Sequence, residues 1–309
     1  MKIEEVRRIL AIGAGTMGHQ IGFLCAMNGY EVVVYDVAPD IFEATRKRLT
    51  QLADRLIKNG RLPAGEKDAV ISRITFTSDA KAAAAEVDIV TESVPEDPKL
   101  KGKVFAEFNR LCPARTVFTT NTSTLVPSMF AEATGRPDRF LAFHFHDILL
   151  TDVVDVMPHP GTSAESVALV RAFAERLHQT VIVLERENFG YVFNAMLSDL
   201  FKSALTLASN GVAAVEDIDR AWMGVLQAPV GPFGMMDKVG LETVWKISDY
   251  WAKATSDAQL AANAAFLKTR IDDGLLGIKS GAGFYTYPKP QFHQPDFLKQ
   301  KARKQKRAN

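Results

Sequence analysis

The chain has 309 residues, of which 47% are hydrophobic and 24% are charged, and its formal net charge is +1. These values are typical of a soluble globular protein long enough for two domains, and they give no reason to expect a nucleic-acid or an acidic partner. No apolar run is long enough to span a bilayer and the first residues are too acidic for a signal peptide, so we expect no membrane partner. The two cysteines, Cys25 and Cys112, lack metal-ligand or CxxC spacing, which favours a reducing cytoplasm and predicts no metal site.

The first chemical motif is a glycine-rich turn that follows an apolar run and precedes helix-like sequence. Gly13 permits the tight turn, Gly15 lets the backbone approach a pyrophosphate, and Gly18 allows the helix to pack closely on the strand. A second apolar run ends at Asp36, whose carboxylate is expected to accept hydrogen bonds from ribose hydroxyls and to disfavour a 2′-phosphate. The motif therefore predicts NAD in preference to NADP. The residues expected to contact it here are Gly13, Gly15, Thr16, Met17, Gly18 and Asp36.

Short apolar strand candidates follow this motif and alternate with helical stretches. Strands are predicted at 74–76, 87–91, 117–120, 140–145, 153–157 and 181–184, and helices at 39–59, 99–110, 126–133 and 163–177. This alternation indicates an α/β Rossmann-type, doubly wound, mainly parallel sheet over residues 1–186. Ligands of such sheets bind at the carboxyl ends of the strands, where Glu92 and Asn121 fall and close to which His144 lies.

Strand signals largely disappear after residue 186. Helices are predicted at 189–209, 216–227, 237–253 and 257–273, with a turn between helices at 229–234. We therefore expect an all-α C-terminal domain over residues 187–288, for substrate binding and dimerisation, followed by a basic C-terminal tail over 289–309. Residues 299–309 contain six lysines or arginines and no acid, a composition that favours a solvated tail over a nucleic-acid site.

Three polar segments stand in otherwise apolar surroundings, at residues 120–123, 143–147 and 188–195. A dehydrogenase that removes hydride from a secondary alcohol needs a base for the hydroxyl proton, and histidine suits this role near neutral pH. It also needs a carboxylate to orient the ring and neutral donors to hold the substrate oxygen. The structural alternatives are a hydrogen-bonded core histidine at His144, a turn hydroxyl at Ser123 and a helix-start hydrogen bond at Asn194.

The chain resembles the L-3-hydroxyacyl-CoA dehydrogenase family from its glycine turn to about Tyr287. The resemblance consists of separate motifs in the family's order. These motifs are the GAGTMG turn at 13–18, E-x-x-x-E-x(4)-K at Glu92, Glu96 and Lys101, N-T-S at 121–123, H-F at 144–145, G-F-[IV]-x-N at 190–194, G-P-F at 231–233, V-G-L at 239–241 and K-[ST]-G-x-G-F-Y at 279–285.

This resemblance implies an oxidoreductase that transfers hydride between an L-3-hydroxyacyl-CoA and NAD in fatty acid metabolism, working as a homodimer. It implies that His144 is the general base of the oxidation and that Ser123 and Asn194 bind the substrate oxygen. It also implies contacts with the cofactor from Glu96, Lys101, Ser123 and Lys279.

The acid that should orient His144 departs from the family pattern. The family places a glutamate twelve residues after its histidine, whereas the nearest equivalent here is Asp155, eleven residues after His144. Asp155 is preferred to Asp152 because it lies within an apolar strand pattern like that of the family. Asp155 therefore completes the predicted catalytic set with His144, Ser123 and Asn194.

The residues expected at the CoA end of the site also differ from the family pattern. Asn59 falls near the place of a lysine that the family uses close to CoA, while Arg55 and Lys58 lie nearby and become the candidates for this contact. Phe189 and Ala195 replace the family's proline and arginine around its G-F-[IV]-x-N motif. Two alternatives therefore stay open: a dehydrogenase of a small free 3-hydroxy acid, like L-gulonate or carnitine dehydrogenase, and a non-catalytic, crystallin-like NAD-binding protein.

Overall fold

A computed structural model describes residues 1–299, which form two compact units. Unit 1 is Met1–Ala195 and unit 2 begins at Met196. The domain boundary predicted near residue 186 precedes this division by a short segment. Residues 300–309, which hold most of the predicted basic tail, lie outside the described residues. Among the described residues, no helix is both long and apolar enough to cross a membrane.

Unit 1 is built on one sheet of eight strands. The strands are β1 Arg8–Ile12, β2 Glu31–Tyr35, β3 Ile74–Thr77, β4 Ile89–Glu92, β5 Val117–Thr120, β6 Phe140–Phe145, β7 Val153–Pro158 and β8 Thr180–Val183. Their order in the sheet is β3-β2-β1-β4-β5-β6-β7-β8, and β1 to β6 are parallel. The first six strands follow the order of a Rossmann fold, so the predicted doubly wound, mainly parallel sheet is confirmed.

Helices cover both faces of this sheet and bury its apolar side chains in two clusters. The long helix over Ile41–Lys58 contributes Leu56 to one cluster, and the helix over Pro98–Leu111 contributes Phe105 and Phe108 to the other. The helices of unit 1 are α1 Thr16–Met27, α2 Ile41–Lys58, α3 Lys67–Ser72, α4 Ala80–Ala84, α5 Pro98–Leu111 and α6 Ala164–Arg176.

The turn from β6 into β7 sets the register that matters for the site. These two strands are antiparallel, and His144 is paired directly opposite Asp155. Directly opposed residues of antiparallel strands point to the same face with their Cβ atoms roughly 5 Å apart. The parallel strands β4, β5 and β6 end at the same edge of the sheet, so Glu92, Thr120 and Phe145 bring their following loops together there.

Unit 2 is helical, as predicted. Its core includes Phe233, Met236 and Leu267, each fully buried, and it also takes up Phe292 and Phe297 from the segment that was expected to form a tail. A helix that starts in unit 1, α7 Phe193–Ser209, continues into unit 2. The others are α8 Val215–Leu226, α9 Pro232–Val239, α10 Leu241–Thr255 and α11 Ala258–Asp272.

Two element predictions are wrong. The helix expected at 126–133 is a pair of short 3₁₀ turns, Pro127–Met129 and Glu132–Thr134, because Phe130 between them leaves the helical region with a φ of −142°. The helix expected at 237–253 is divided by Gly240, whose φ of +96° is incompatible with a continuous helix.

The turn expected at 229–234 also changes. Its last three residues belong to α9, which begins at Pro232, where a fixed φ and a missing N–H are tolerated at the first helical position. Asp219 stabilises this start, since its carboxylate accepts hydrogen bonds from the backbone N–H groups of Phe233 at 2.8 Å and Gly234 at 3.0 Å.

Candidate active site

The glycine turn between β1 and α1 has the close contacts that its sequence predicts. Gly13 has a φ of +97°, and a Cβ there would lie 2.8 Å from the carbonyl oxygen of Ser93. A Cβ at Gly18 would lie 1.8 Å from the carbonyl oxygen of Gly13, so the start of α1 packs directly on the turn. Gly15 differs, because no atom of the described residues outside its immediate neighbours would lie within 4 Å of its Cβ. The space beside Gly15 is open to a ligand.

Asp36 and the start of α1 complete a site that fits a dinucleotide. The carboxylate of Asp36 accepts hydrogen bonds from the backbone N–H of Ala14 at 2.8 Å and from that of Ala38 at 3.1 Å. It is therefore held against the turn, with lone pairs left for ribose hydroxyls. Thr16, the first residue of α1, is exposed and Met17 is half-buried. The free N–H groups of this helix end favour an anionic phosphate.

The second part of the site is the pair formed by His144 and Asp155. The Nδ1 atom of His144 lies 2.9 Å from the Oδ2 atom of Asp155, and both side chains are buried. Burial disfavours the ionised carboxyl of Asp155, but hydrogen bonds from His144 and His146 outweigh burial and lower its pKa. An ionised carboxylate only accepts hydrogen bonds, so Nδ1 of His144 carries the proton and Nε2 of the neutral ring is left as an acceptor.

Tyr191 packs on the ring of His144, with the ring centroids 4.8 Å apart. Its side chain is 2% exposed, and its hydroxyl has no hydrogen-bond partner within the described residues. Burial, reinforced by the charges of Glu96 and Asp155, raises the pKa of this hydroxyl well above its usual value. Tyr191 therefore contributes a neutral ring that restricts the orientation of the His144 imidazole.

Ser123 and Asn194 lie next to each other in unit 1. Ser123 is exposed in the loop that follows β5, and Asn194 is half-buried in the first turn of α7. The side-chain amide of Asn194 donates a hydrogen bond to the carbonyl oxygen of Ser123 at 3.3 Å. The Asn194 amide therefore lies against the Ser123 backbone, and its second N–H and the Ser123 hydroxyl are the neutral donors predicted for a substrate oxygen.

A buried ion network holds the Ser123 loop. The Nζ atom of Lys101, 1% exposed, lies 2.7 Å from Glu92 and 3.3 Å from Glu96. Glu96 in turn accepts hydrogen bonds from the backbone N–H of Ser123 and from the hydroxyls of Thr122 and Thr124. Burial opposes ionisation of Glu96, yet Lys101 and these donors dominate and lower its pKa. Lys101 therefore positions the loop through Glu96, and direct contacts of these two residues with NAD stay predictions.

Three predicted ligand-binding residues lie on exposed surfaces. Arg55 and Lys58 occupy the last turn of α2, and both are exposed. Lys279, in unit 2, forms an ion pair with Glu242. Their contacts with CoA and NAD stay predictions.

The structure adds two residues that sequence reasoning left out of the site. Glu92 bonds Lys101 in the buried network, although it was recognised only as a motif position at a strand end. His146 places its Nε2 atom 3.5 Å from the same Asp155 oxygen that His144 contacts. The signal for His146 was its position two residues after His144, although β6 ends at Phe145 and His146 lies in the loop that follows.

Taken together, these side chains can remove a proton from a hydroxyl group beside a bound dinucleotide. His144 with Asp155 has the arrangement of an oriented base, and Ser123 with Asn194 has the residue types of neutral donors; their catalytic roles stay predictions. The same residue types could act on other secondary alcohols. The geometry therefore indicates the reaction, removal of a hydroxyl proton beside a dinucleotide, but does not identify the substrate.

Comparison with known proteins gives the family. Residues 8–188 match the model of the 3-hydroxyacyl-CoA dehydrogenase NAD-binding domain, and residues 190–287 match that of the C-terminal domain of the same enzyme. A 3-hydroxybutyryl-CoA dehydrogenase of Mycobacterium tuberculosis is 31% identical over 92% of this chain and 99% of its own length.

Solved structures agree with this match. A diketoreductase, described as acting on dicarbonyl compounds, superposes with a TM-score of 0.84 at 36% identity and covers 91% of this chain and 99% of its own. The (S)-3-hydroxybutyryl-CoA dehydrogenase of Ralstonia eutropha superposes with a TM-score of 0.83 at 28% identity and covers 92% of this chain and 100% of its own. The chain therefore belongs to the 3-hydroxyacyl-CoA dehydrogenase family, and its cofactor is NAD.

Proposed function

We propose that this protein oxidises the 3-hydroxyl group of an L-3-hydroxyacyl-CoA to a ketone, with NAD as the hydride acceptor. The observation that carries the proposal is the buried pair of His144 and Asp155 at the edge of the sheet where β4, β5 and β6 end. The names of the relatives, which include 3-hydroxybutyryl-CoA dehydrogenases, support the acyl-CoA substrate.

Proton transfer follows from the orientation of His144. In the oxidation, Nε2 of His144 accepts the proton of the substrate hydroxyl while Asp155 holds the Nδ1–H and stabilises the resulting imidazolium. The hydroxyl of Ser123 and the amide of Asn194 hold the substrate oxygen as it becomes a carbonyl. Bound NAD supplies the hydride acceptor. In the reverse direction the protonated His144 returns its proton to the same oxygen.

A substrate panel tests the proposal. Purified protein with NAD should form NADH, measured by absorbance, when (S)-3-hydroxybutyryl-CoA is added, and the rate should exceed that with free 3-hydroxybutyrate, L-gulonate or L-carnitine. The free acids are included because one similar solved structure is a diketoreductase described as acting on dicarbonyl compounds. Turnover of a free acid alone would favour the small hydroxy-acid dehydrogenase. Tight NAD binding without turnover of any substrate would favour the non-catalytic alternative.

The basic end of α2 should distinguish CoA thioesters from free acids. We expect the double substitution of Arg55 and Lys58 to glutamine to raise KM for the CoA thioester roughly 5- to 10-fold, since each exposed charge contributes up to about 1 kcal/mol. kcat should change little, because the CoA moiety takes no part in the proton or hydride transfer. Arg171→Gln, which removes an exposed charge from α6, is the matched control. An unchanged KM in the double variant would remove α2 from the CoA contact.

The open space at Gly15 gives a test of cofactor binding. We expect Gly15→Ala to fold with an unchanged melting temperature, because the added methyl meets no other atom of the described chain and the backbone has an ordinary φ of −72°. The methyl should occupy the approach to the pyrophosphate and raise the Kd for NAD by about tenfold or more, a loss of about 1.4 kcal/mol. Titration by NAD-dependent quenching of protein fluorescence checks this, and an unchanged Kd would contradict the placement of the phosphates.

The homodimer and the cytoplasmic location belong to the same proposal. Bacterial relatives and two free, buried cysteines support the location. Exposed apolar side chains in unit 2, among them Tyr250 at 65% and Val225 at 81%, support self-association. Light scattering should therefore report twice the mass of one chain, and a monomer at micromolar concentration would contradict the dimer.

A further inference from the structure

Three potential metal ligands converge at the base of the candidate active site. Nδ1 of His144 lies 2.9 Å and Nε2 of His146 lies 3.5 Å from the same oxygen of Asp155. One ligand atom from each side chain can be chosen so that all three lie within 4.8 Å of one another. The sheet explains half of this convergence, because His144 faces Asp155 across β6 and β7. His146 follows the last residue of β6 and brings its Nε2 atom to the same carboxylate oxygen from the loop.

The spacing fits a small coordination sphere. Bonds of about 2.1 Å at tetrahedral angles place neighbouring ligand atoms about 3.4 Å apart. The observed distances of 2.9 Å and 3.5 Å to Asp155 bracket this value. The two imidazole nitrogens lie within 4.8 Å of each other, so rotation of the His144 and His146 side chains is what closes the sphere around an ion. Two imidazoles with one carboxylate suit Zn²⁺, Co²⁺ or Ni²⁺ rather than Mg²⁺ or Ca²⁺.

Burial and access are also compatible with an ion. The side chains of His144 and Asp155 are 5% and 2% exposed, whereas that of His146 is 19% exposed and opens the cluster to solvent. The ring of His146 packs edge-on against the ring of Phe193, with the ring centroids 5.6 Å apart, and the ring of Tyr191 packs on that of His144. These contacts restrict both imidazoles before any ion arrives, which reduces the entropy lost on binding.

We propose that His144, His146 and Asp155 bind a divalent transition-metal ion such as Zn²⁺, and that the ion reversibly switches off the base. This second part rests on the proposed function. Coordination through Nδ1 requires that this nitrogen carry no proton, so the proton of the neutral ring moves to Nε2. Nε2 is the atom that must accept the substrate proton. Coordination through Nε2 instead would block that atom directly, so the ion and the base function exclude each other in either case.

Metal binding can be measured without any substrate. Tag-free protein is titrated with Co²⁺, whose visible absorption reports low-coordinate nitrogen and oxygen ligation, and Zn²⁺ is then added as a competitor. We expect one saturable site per chain that Zn²⁺ displaces. His146→Phe should weaken Co²⁺ binding by at least about tenfold. His178→Asn, which removes an exposed histidine elsewhere in unit 1, is the matched control and should bind as the wild type does.

A second variant, His146→Asn, serves if the phenylalanine variant does not fold, as judged by circular dichroism. Equal Co²⁺ binding by wild type and a folded His146 variant would overturn the site, and so would the absence of saturable binding. Both results would leave the dehydrogenase proposal intact, because they do not involve turnover.

Inhibition tests the switch. Wild-type NADH production should fall when Zn²⁺ is added and return with EDTA. Each His146 variant, compared with its own rate in EDTA, should need at least about tenfold more Zn²⁺ for the same fractional loss. Saturable Co²⁺ binding with no Zn²⁺ inhibition of an active enzyme would overturn the switch. Saturable binding by a protein that turns over no substrate would support the metal site and contradict the proposed function instead.

Discussion

His144→Gln should lower kcat for the CoA thioester by about 10²- to 10⁴-fold, the usual contribution of a positioned general base. Glutamine is close to histidine in length and can still donate a hydrogen bond to Asp155, but its amide does not accept a proton near neutral pH. KM and the Kd for NAD should change little, since His144 contributes mainly to the transition state. Stopped-flow measurement of NADH formation, combined with an NAD titration, checks both expectations.

His178→Asn is the control for the loss of an imidazole, because His178 is exposed and lies outside the site. It should retain wild-type kcat. Wild-type turnover by a folded His144→Gln protein would refute the role of His144 as the base. A large loss of NAD affinity in that variant would show that the substitution had disturbed the cofactor site as well.

Lys101→Met should lower the free energy of unfolding by about 3–5 kcal/mol. The Nζ atom of Lys101 lies between Glu92 and Glu96, and the Glu92 side chain is 0% exposed. Removing the cation leaves the Glu92 carboxylate buried without a counter-charge, and it releases Glu96 from the position in which it holds the Ser123 loop. Urea denaturation measured by circular dichroism gives the change in free energy, and kcat should fall with it because Ser123 is no longer held.

A double substitution separates the charge from the packing. Glu92→Leu combined with Lys101→Met removes both members of the buried pair and should recover much of the lost stability, since replacing a whole buried ion pair is often close to neutral. Lys103→Met is the control, because Lys103 lies in the same helix α5 and is exposed. A loss below about 1 kcal/mol in Lys101→Met would mean that the ion pair contributes no more than a surface pair does.

The cofactor half of the site could be predicted because it is a local feature of the chain. Gly13 is required by its own φ of +97°, and the close contact of Gly18 is with Gly13 in the same turn, whereas only the contact of Gly13 with Ser93 joins distant segments. Alternating apolar strands and helices likewise predicted the sheet, because a parallel sheet needs crossover helices that cover both faces. Two predicted helices were wrong because one residue in each has non-helical backbone dihedral angles, Phe130 in the first and Gly240 in the second.

The reactive half depended on contacts between distant segments. The sequence pattern favoured Asp155 over Asp152 for His144, and the register of β6 against β7 brings Asp155 to it at 2.9 Å while Asp152 pairs with Arg61. The loop between these strands is one residue shorter than the family pattern implies, and no local rule gives the register of such a hairpin. His146 was left out for a related reason, since its contact with Asp155 depends on the path of the loop that follows β6.

The sequence by itself determined the fold class, the NAD-binding turn and the family, because each is carried by residue types at short, ordered spacings. Only the tertiary structure decided that Asp155 serves His144, that His146 shares the same carboxylate oxygen, and that Lys101 is buried between Glu92 and Glu96. The physical reason is that hydrogen bonds and ion pairs act over about 3 Å, whereas these partners are brought together by strand register and helix packing.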